Sequence, residues 1–263
     1  MDAYREQEAR RTGARTVARR HPTHHARLLA AVLAVVGGLV LPSSASGAAP
    51  ASTASVYERD FPDPFLLRVG DTYYGYATNG SSHVRTIRSP DLVRWSPVAD
   101  AMPVLPDWTV PGHLWAPAVL PRAGSYVMYY TTRDAHTGLQ CLGRAVAASP
   151  AGPFSDRSSG PFLCQPDRGG SIDPSPFVDA DGTPYLIWKS EGIAGREPTR
   201  LWVQQLSDDA TALVGAPTEL LRQDQAWEFP IIEGPSMVRD GDRYYLFYAG
   251  GRWDTPGYAI GYG

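Results

Sequence analysis

Histidine and cysteine are scarce in this sequence, which has six histidines and two cysteines in 263 residues. Three histidines lie before residue 26, and the other three (His83, His113 and His136) are far apart along the chain. The sequence contains no HExxH motif and no cluster of cysteines and histidines, which a metal hydrolase would need as closely spaced ligands. It therefore excludes a hydrolytic metal site of that kind, and we expect no cofactor.

Long apolar runs are also lacking, with one exception at residues 28–41, LLAAVLAVVGGLVL. Seven arginines precede this run and small residues follow it. A basic segment, a short apolar segment and a small-residue cleavage zone are typical of a secretory signal peptide. The run is shorter than the roughly 20 residues of a membrane span. We predict that residues 1–49 are a signal peptide and linker, and that the protein is secreted with no membrane anchor.

Positive charge is in short supply once the predicted leader is set aside. Residues 50–263 contain 17 basic and 24 acidic residues, a net charge of −7 with histidine neutral. Nucleic acids and anionic membranes bind proteins through clustered positive charge. The composition therefore argues against both classes of partner. The remaining 214 or so residues are enough for one substantial domain.

The two cysteines, Cys141 and Cys164, lie 23 residues apart. In an exported chain an even pair of this kind is typical of a disulfide, which would stabilise the fold by about 3 kcal/mol. The alternative is a pair of buried free thiols, since unpaired cysteine is also a frequent core residue.

Helical periodicity is nearly absent, and short β-rich runs alternate with turns drawn from 24 prolines and 26 glycines. One pattern occurs four times: a polar and proline-containing opening, an apolar strand, a glycine turn and an aromatic strand. The turn glycines are spaced 54, 58 and 59 residues apart, at Gly70, Gly124, Gly182 and Gly241. Repeats of about 50 residues with four strands each are typical of propeller blades. The alternative is a β-sandwich with coincidental turn spacing.

Acidic residues recur near the start of the repeats. The sequence aligns Asp63, Ala116, Asp173 and Glu233 at equivalent positions, so that three of four repeats carry a carboxylate there. In a propeller the first strand of each blade lines the central axis, and we expect these three carboxylates to converge at one end of it. Converging carboxylates beside tryptophan and tyrosine suit glycosidic bond hydrolysis, which needs one ionised and one protonated carboxyl group.

The four openings resemble those of glycoside hydrolase family 43 in order and spacing: FPDPF from Phe61, LWAPAV from Leu114, SIDPSPF from Ser171 and IIEGPSM from Ile231. The resemblance covers essentially all of residues 57–263. It implies an all-β, five-bladed β-propeller in which Asp63 is the general base, Asp173 orients and tunes the acid, and Glu233 is the general acid. Inversion at the anomeric carbon then predicts a base–acid separation of roughly 6.5–9.5 Å.

The resemblance also implies five blades, whereas this sequence ends inside the fourth repeat. We expect a domain over residues 50–263 that lacks about 50–70 residues of the family fold, judged from the repeat period. We expect the sequence to be a fragment of a longer protein, with a naturally short protein as the alternative. Some family members hold a calcium ion near the centre through a histidine on the fifth blade, which this sequence does not include.

Two further residues are predicted to bind substrate. Trp115 would lie beside the centre and stack on a sugar ring, although packing between blades is an equal alternative. Arg252, after two glycines, would reach the sugar or pair with an acid, with a solvated loop charge as the alternative. Lys189 and Glu191, beyond a second strand, are interpreted as structural or rim residues.

The leading hypothesis is a monomeric, secreted, inverting α-L-arabinofuranosidase that acts on arabinose- or xylose-containing plant polysaccharides. An endo-arabinanase or a β-xylosidase of the same family is the first alternative. Retaining fructosidases carry an RDP opening and a Glu-Cys motif, where this sequence has Ile172-Asp173-Pro174 and Glu233-Gly234. A carbohydrate-binding propeller without catalysis also remains open, and a protein-interaction propeller would not need the three acids.

Overall fold

The computed structural model describes residues 55–263. The predicted signal peptide and linker, residues 1–49, lie outside the described residues. The described part contains no α-helix, two short 3-10 helices (Pro166–Arg168 and Ala226–Glu228) and fourteen strands. The strands are β1 Phe65–Val69, β2 Thr72–Ala77, β3 Arg85–Ser89, β4 Ser96–Pro97, β5 Trp115–Arg122, β6 Ser125–Arg133, β7 Gln140–Ala147, β8 Ser171–Val178, β9 Pro184–Ser190, β10 Arg200–Leu206, β11 Leu213–Arg222, β12 Ile232–Asp240, β13 Arg243–Gly250 and β14 Ala259–Tyr262.

The strands form four antiparallel sheets, and in each sheet neighbouring strands follow one another along the chain. The first sheet is β1–β4, the second β5–β7, the third β8–β11 and the fourth β12–β14. Where a fourth strand of the second sheet would lie, β7 forms isolated antiparallel bridges, Val146 with Ser155 and Leu142 with Leu163. Each predicted repeat is therefore one sheet, and the all-β prediction is confirmed.

Tight turns join the first two strands of each sheet, as the glycine spacing predicts. The β5–β6 turn has two central residues, Ala123 and Gly124, at φ 49° and 77°. Two successive positive φ angles belong to the hairpin turn whose twist matches the strands it joins, and glycine adopts that angle without a steric penalty. The glycine turns therefore set where each aromatic second strand begins.

Consecutive sheets pack face to face, which is the packing of propeller blades. Along β6, Met128 and Tyr130 belong to the core between the first and second sheets, whereas Val127 and Tyr129 belong to the core between the second and third. Since successive side chains of a strand point to opposite faces, both faces of this sheet are buried. A third core joins the third and fourth sheets through Ile187, Ile232 and their neighbours.

We expect Leu186→Ala to lower the free energy of unfolding by about 2–5 kcal/mol, because Leu186 is fully buried between the second and third sheets. Val214→Ala is the matched control, since Val214 lies in the same sheet with 42% of its surface exposed. Urea unfolding of both variants measures the difference. Equal losses in the two variants would show that the face between these sheets is not a packed core.

Candidate active site

A left-handed residue followed by proline lies at, or just before, the start of the first strand of each sheet. Asp63, Ala116, Asp173 and Gly234 have φ angles of 50°, 43°, 56° and 59°, and each is followed by proline. The pairing register of β5, β8 and β12 shifts at these points. A left-handed backbone is costly for aspartate and alanine, by about 1–3 kcal/mol each, and such strain is concentrated at functional sites.

This geometry corrects the alignment made from the sequence. The fourth-repeat residue that matches Asp63 and Asp173 is Gly234, not Glu233, because Gly234 has the left-handed backbone and precedes the proline. Glu233 lies one residue earlier. Its position is equivalent to those of Trp115 and Ile172, each of which is the last paired residue before the bulge in its own strand. The prediction of equivalent positions was therefore wrong by one residue for Glu233. The two aspartates are themselves the left-handed residues, whereas Glu233 directly precedes the left-handed residue.

Two threonines hydrogen-bond to these segments. The Thr78 hydroxyl donates to Asp63 Oδ2 and accepts the Ala116 N–H at 2.9 Å. The Thr131 hydroxyl accepts the Asp173 N–H at 3.0 Å in the same manner. The preceding repeat therefore fixes the backbone of Asp173, whereas Asp63 is held through its side chain by its own repeat and is exposed to solvent.

Asp173 is half-buried and sits against the segment that carries Glu233. Its Oδ2 accepts the N–H of Gly234 at 2.9 Å. Burial raises the pKa of Asp173 from 3.8 to about 7, with the charges of Glu233 and Asp63 adding to the rise and Lys189 opposing it. Asp173 therefore changes its protonation state near neutral pH.

Glu233 has a donor on each oxygen. Lys189 Nζ lies 3.2 Å from Oε2, and the Tyr258 hydroxyl lies 2.9 Å from Oε1. The side chain of Glu233 is 14% exposed. Burial raises the pKa of Tyr258, and the negative charges of Glu233, Asp173 and Asp63 raise it further. The charges of all three predicted carboxylates therefore raise the pKa of this one hydroxyl, which means that the structure brings the three side chains together.

Lys189 is the functional candidate that the sequence analysis missed. It is 2% exposed, contacts Glu233 and donates to Glu191 Oε2 at 2.9 Å, so it is not a rim residue. Burial by itself lowers the pKa of Lys189, but the charges of Glu191, Glu233 and Asp173 outweigh it and hold the pKa above its usual value. One signal could have found it, since Lys189 is the only lysine among 24 basic residues. Nothing in the local sequence marks Tyr258.

Trp115 and Arg252, the residues predicted to bind substrate, lie in different settings. Trp115 is half-buried at the start of β5, with its ring centroid 6.1 Å from that of His113. Burial, together with the positive charge of Arg133, lowers the pKa of His113, so the ring beside Trp115 is neutral at pH 7. Arg252 forms two hydrogen bonds with Asp254, at 2.8 and 3.0 Å, in the segment between β13 and β14.

Cys141 and Cys164 form a disulfide between β7 and the segment before the first 3-10 helix, with their Cα atoms 4.9 Å apart.

Within residues 55–263 no group of three histidines, cysteines or carboxylates could hold a metal ion. The residues described therefore do not fit the calcium site of some family members. No helix in the described part of the chain is long and apolar enough to cross a membrane.

We expect the charge of Asp173 to destabilise the fold as the pH rises. An acid with a raised pKa in the folded state binds a proton that the unfolded chain has lost, so folding stability falls between about pH 4 and pH 7. Asp173→Asn should therefore be more stable than the wild type at pH 8, with little difference at pH 4. Its amide oxygen can still accept the N–H of Gly234.

Urea unfolding at the two pH values checks this prediction, with Asp71→Asn as the control, because Asp71 is fully exposed in the β1–β2 turn. A loss of stability in Asp173→Asn at pH 8 would contradict it.

Successive antiparallel sheets around a carboxylate-lined centre define the chain as a β-propeller with an acidic site. It belongs to the glycosyl hydrolases family 43, whose family model matches residues 52–263. A solved structure of a thermostable family-43 glycoside hydrolase is 30% identical, with a TM-score of 0.68, and the match covers 77% of this chain and 67% of that one.

Two relatives of this chain carry names that describe different activities. The extracellular exo-α-(1→5)-L-arabinofuranosidase ArbA of Cellvibrio japonicus is 28% identical over 213 residues, and a xylan 1,3-β-xylosidase of a Vibrio species is 30% identical over 204 residues. These matches cover 73% and 72% of this chain. The chain spans only 59% of the length of the first relative and 36% of the second.

Proposed function

We propose that this chain carries the catalytic centre of a secreted, inverting glycoside hydrolase that acts on arabinose- or xylose-containing plant polysaccharides. The observation that carries the proposal is the difference between two carboxylates of one site. Asp63 is exposed to solvent, whereas Glu233 is largely enclosed and has a donor on each oxygen. An inverting glycosidase needs this division between a base that meets water and an acid that meets the leaving group.

In the proposed reaction, Asp63 takes a proton from a water molecule as the water oxygen attacks the anomeric carbon. The bond between that carbon and the glycosidic oxygen breaks, and Glu233 gives its proton to the departing oxygen. Asp173 holds the Gly234 N–H beside Glu233 and adds negative charge to the site. That charge favours the protonated form of a nearby carboxyl group, which the acid needs at the start of the reaction.

An α-L-arabinofuranosidase is the activity that we favour, because the arabinofuranosidase ArbA is among the relatives that match most of this chain. The β-xylosidase alternative is supported by the Vibrio relative. Secretion is supported by the basic and apolar N-terminal pattern and by relatives described as extracellular. A non-catalytic binder would have no need for the strained aspartates at the bulges.

The test is hydrolysis by the full chain of p-nitrophenyl α-L-arabinofuranoside and β-D-xyloside, together with linear arabinan and xylo-oligosaccharides. We expect turnover of the arabinofuranoside, and proton NMR of the first product should show the inverted anomer. Preference for the xyloside would favour the xylosidase alternative. Binding of arabinan by folded protein without turnover of any substrate would favour the carbohydrate-binding alternative.

A further inference from the structure

The ammonium group of Lys189 lies between two carboxylates. It contacts Glu191 Oε2 at 2.9 Å and Glu233 Oε2 at 3.2 Å, and its side chain is 2% exposed. Glu191 is 28% exposed and follows the end of β9. A buried lysine needs such partners, because an unpaired buried charge is strongly unfavourable. The lysine is therefore held by one carboxylate outside the proposed reaction and by one inside it.

A lysine is unusual for this chain, because the remaining 23 of its 24 basic residues are arginines. Lysine carries a compact charge on a flexible stem, whereas arginine carries a planar fork suited to bidentate pairs. In the third sheet Lys189 pairs with Ile172 of β8, the residue before Asp173. The ammonium thus enters the site from the strand beside the one that carries Asp173.

We propose that Lys189 is a positioning residue for Glu233, and that Glu191 controls how strongly Lys189 holds it. This inference rests on the proposed function, in which Glu233 is the general acid. Glu191 and Glu233 share one positive charge, so removal of either carboxylate leaves the whole charge to the other. The other groups that face this pair are Asp173, the Tyr258 hydroxyl and Asp63.

The arrangement predicts opposite effects for two variants. In Glu191→Gln the full positive charge of Lys189 acts on Glu233, which favours the ionised carboxylate, so the alkaline limb of the kcat/KM profile should move to lower pH. In Lys189→Met that charge is gone, so the limb should move to higher pH by about one unit, and kcat should fall because Oε2 has lost its donor. Lys189→Arg should return the limb toward the wild-type position.

The matched control is Glu219→Gln. Glu219 also pairs with two cationic groups, Arg200 at 3.4 Å and Arg222 at 2.6 Å, but these pairs lie within the β10–β11 part of the third sheet. Its pH profile should match that of the wild type. Shifts of the alkaline limb in the same direction for Glu191→Gln and Lys189→Met would overturn the proposal, as would no shift in Glu191→Gln.

A second measurement does not depend on activity. Lysine labelled with ¹³C at Cε and ¹⁵N at Nζ gives one signal from this chain, because Lys189 is its only lysine. We expect this signal to move in both Glu191→Gln and Glu233→Gln and to stay in place in Glu219→Gln. A signal that does not move in Glu233→Gln would disprove the contact between Lys189 and Glu233, even if the enzyme is active. Activity that survives Glu233→Gln on every substrate would instead disprove the proposed function, whatever the signal does.

Discussion

Glu233→Gln is expected to lower kcat by about 10²–10⁴-fold on substrates with poor leaving groups, such as arabino-oligosaccharides. A glutamine cannot give a proton to the departing oxygen, so the loss should depend on how much the leaving group needs one. A 2,4-dinitrophenyl glycoside, whose phenolate departs without protonation, should lose little activity. A plot of log kcat against leaving-group pKa measures this dependence, which we expect to be much steeper in the variant than in the wild type.

The contacts of Glu233 determine the control for this experiment. Lys189 and Tyr258 both donate to the carboxylate, whereas a glutamine side chain has only one acceptor oxygen. Thermal unfolding of Glu233→Gln should therefore accompany the kinetics, with Glu219→Gln as the variant of an ion-paired glutamate outside the site. A loss that is equal for good and poor leaving groups would assign Glu233 to another role.

Much of the fold could be predicted from the sequence because its signals are local. A glycine turn between an apolar and an aromatic strand sets the start of each hairpin, as Gly124 shows at φ 77°. The alternation of Val127, Met128, Tyr129 and Tyr130 between two cores follows from the two-residue period of a strand. Neither feature depends on knowing which repeats are neighbours.

The site was predicted less completely, because its contacts join distant repeats. The repeat predicted Asp63, Asp173 and Glu233 as the site residues, but it aligned Glu233 one residue out of place. Glycine at position 234 supplies the left-handed bulge that aspartate supplies in the other two repeats, and a comparison of acidic residues alone hides this exchange. Lys189 reaches Glu233 across 44 residues, through two sheets that pack together.

The two aspartates of the site have backbone conformations that their local sequence disfavours. Asp63 and Asp173 each have a left-handed backbone directly before a proline, where extended conformations are favoured. Two threonines support these conformations: Thr78 donates to the Asp63 carboxylate, and Thr131 of the preceding repeat accepts the Asp173 N–H. Stability lost in this way is typical of sites where the chemistry needs a fixed geometry.

Asp63→Asn is expected to lower kcat by about 10²–10⁴-fold, and by a similar factor for good and poor leaving groups. The asparagine cannot accept the proton of the attacking water, so nucleophilic attack is impaired whatever group departs. Its amide oxygen can still accept the hydrogen bond from Thr78, so the bulge should keep its shape. Initial rates on the dinitrophenyl and oligosaccharide substrates measure this, with the exposed Asp71→Asn as the control.

Azide separates loss of the base from loss of the site in this variant. Azide is already an anion and needs no base, so it can attack the anomeric carbon of Asp63→Asn while Glu233 protonates the departing oxygen. We expect azide to restore turnover on the good leaving group and to form a glycosyl azide of inverted configuration, visible by proton NMR. An azide product of retained configuration would mean that the glycosyl group first bonds to the protein. Retention requires two successive displacements at the anomeric carbon, so that product would contradict both the inverting reaction and the assignment of Asp63 as its base.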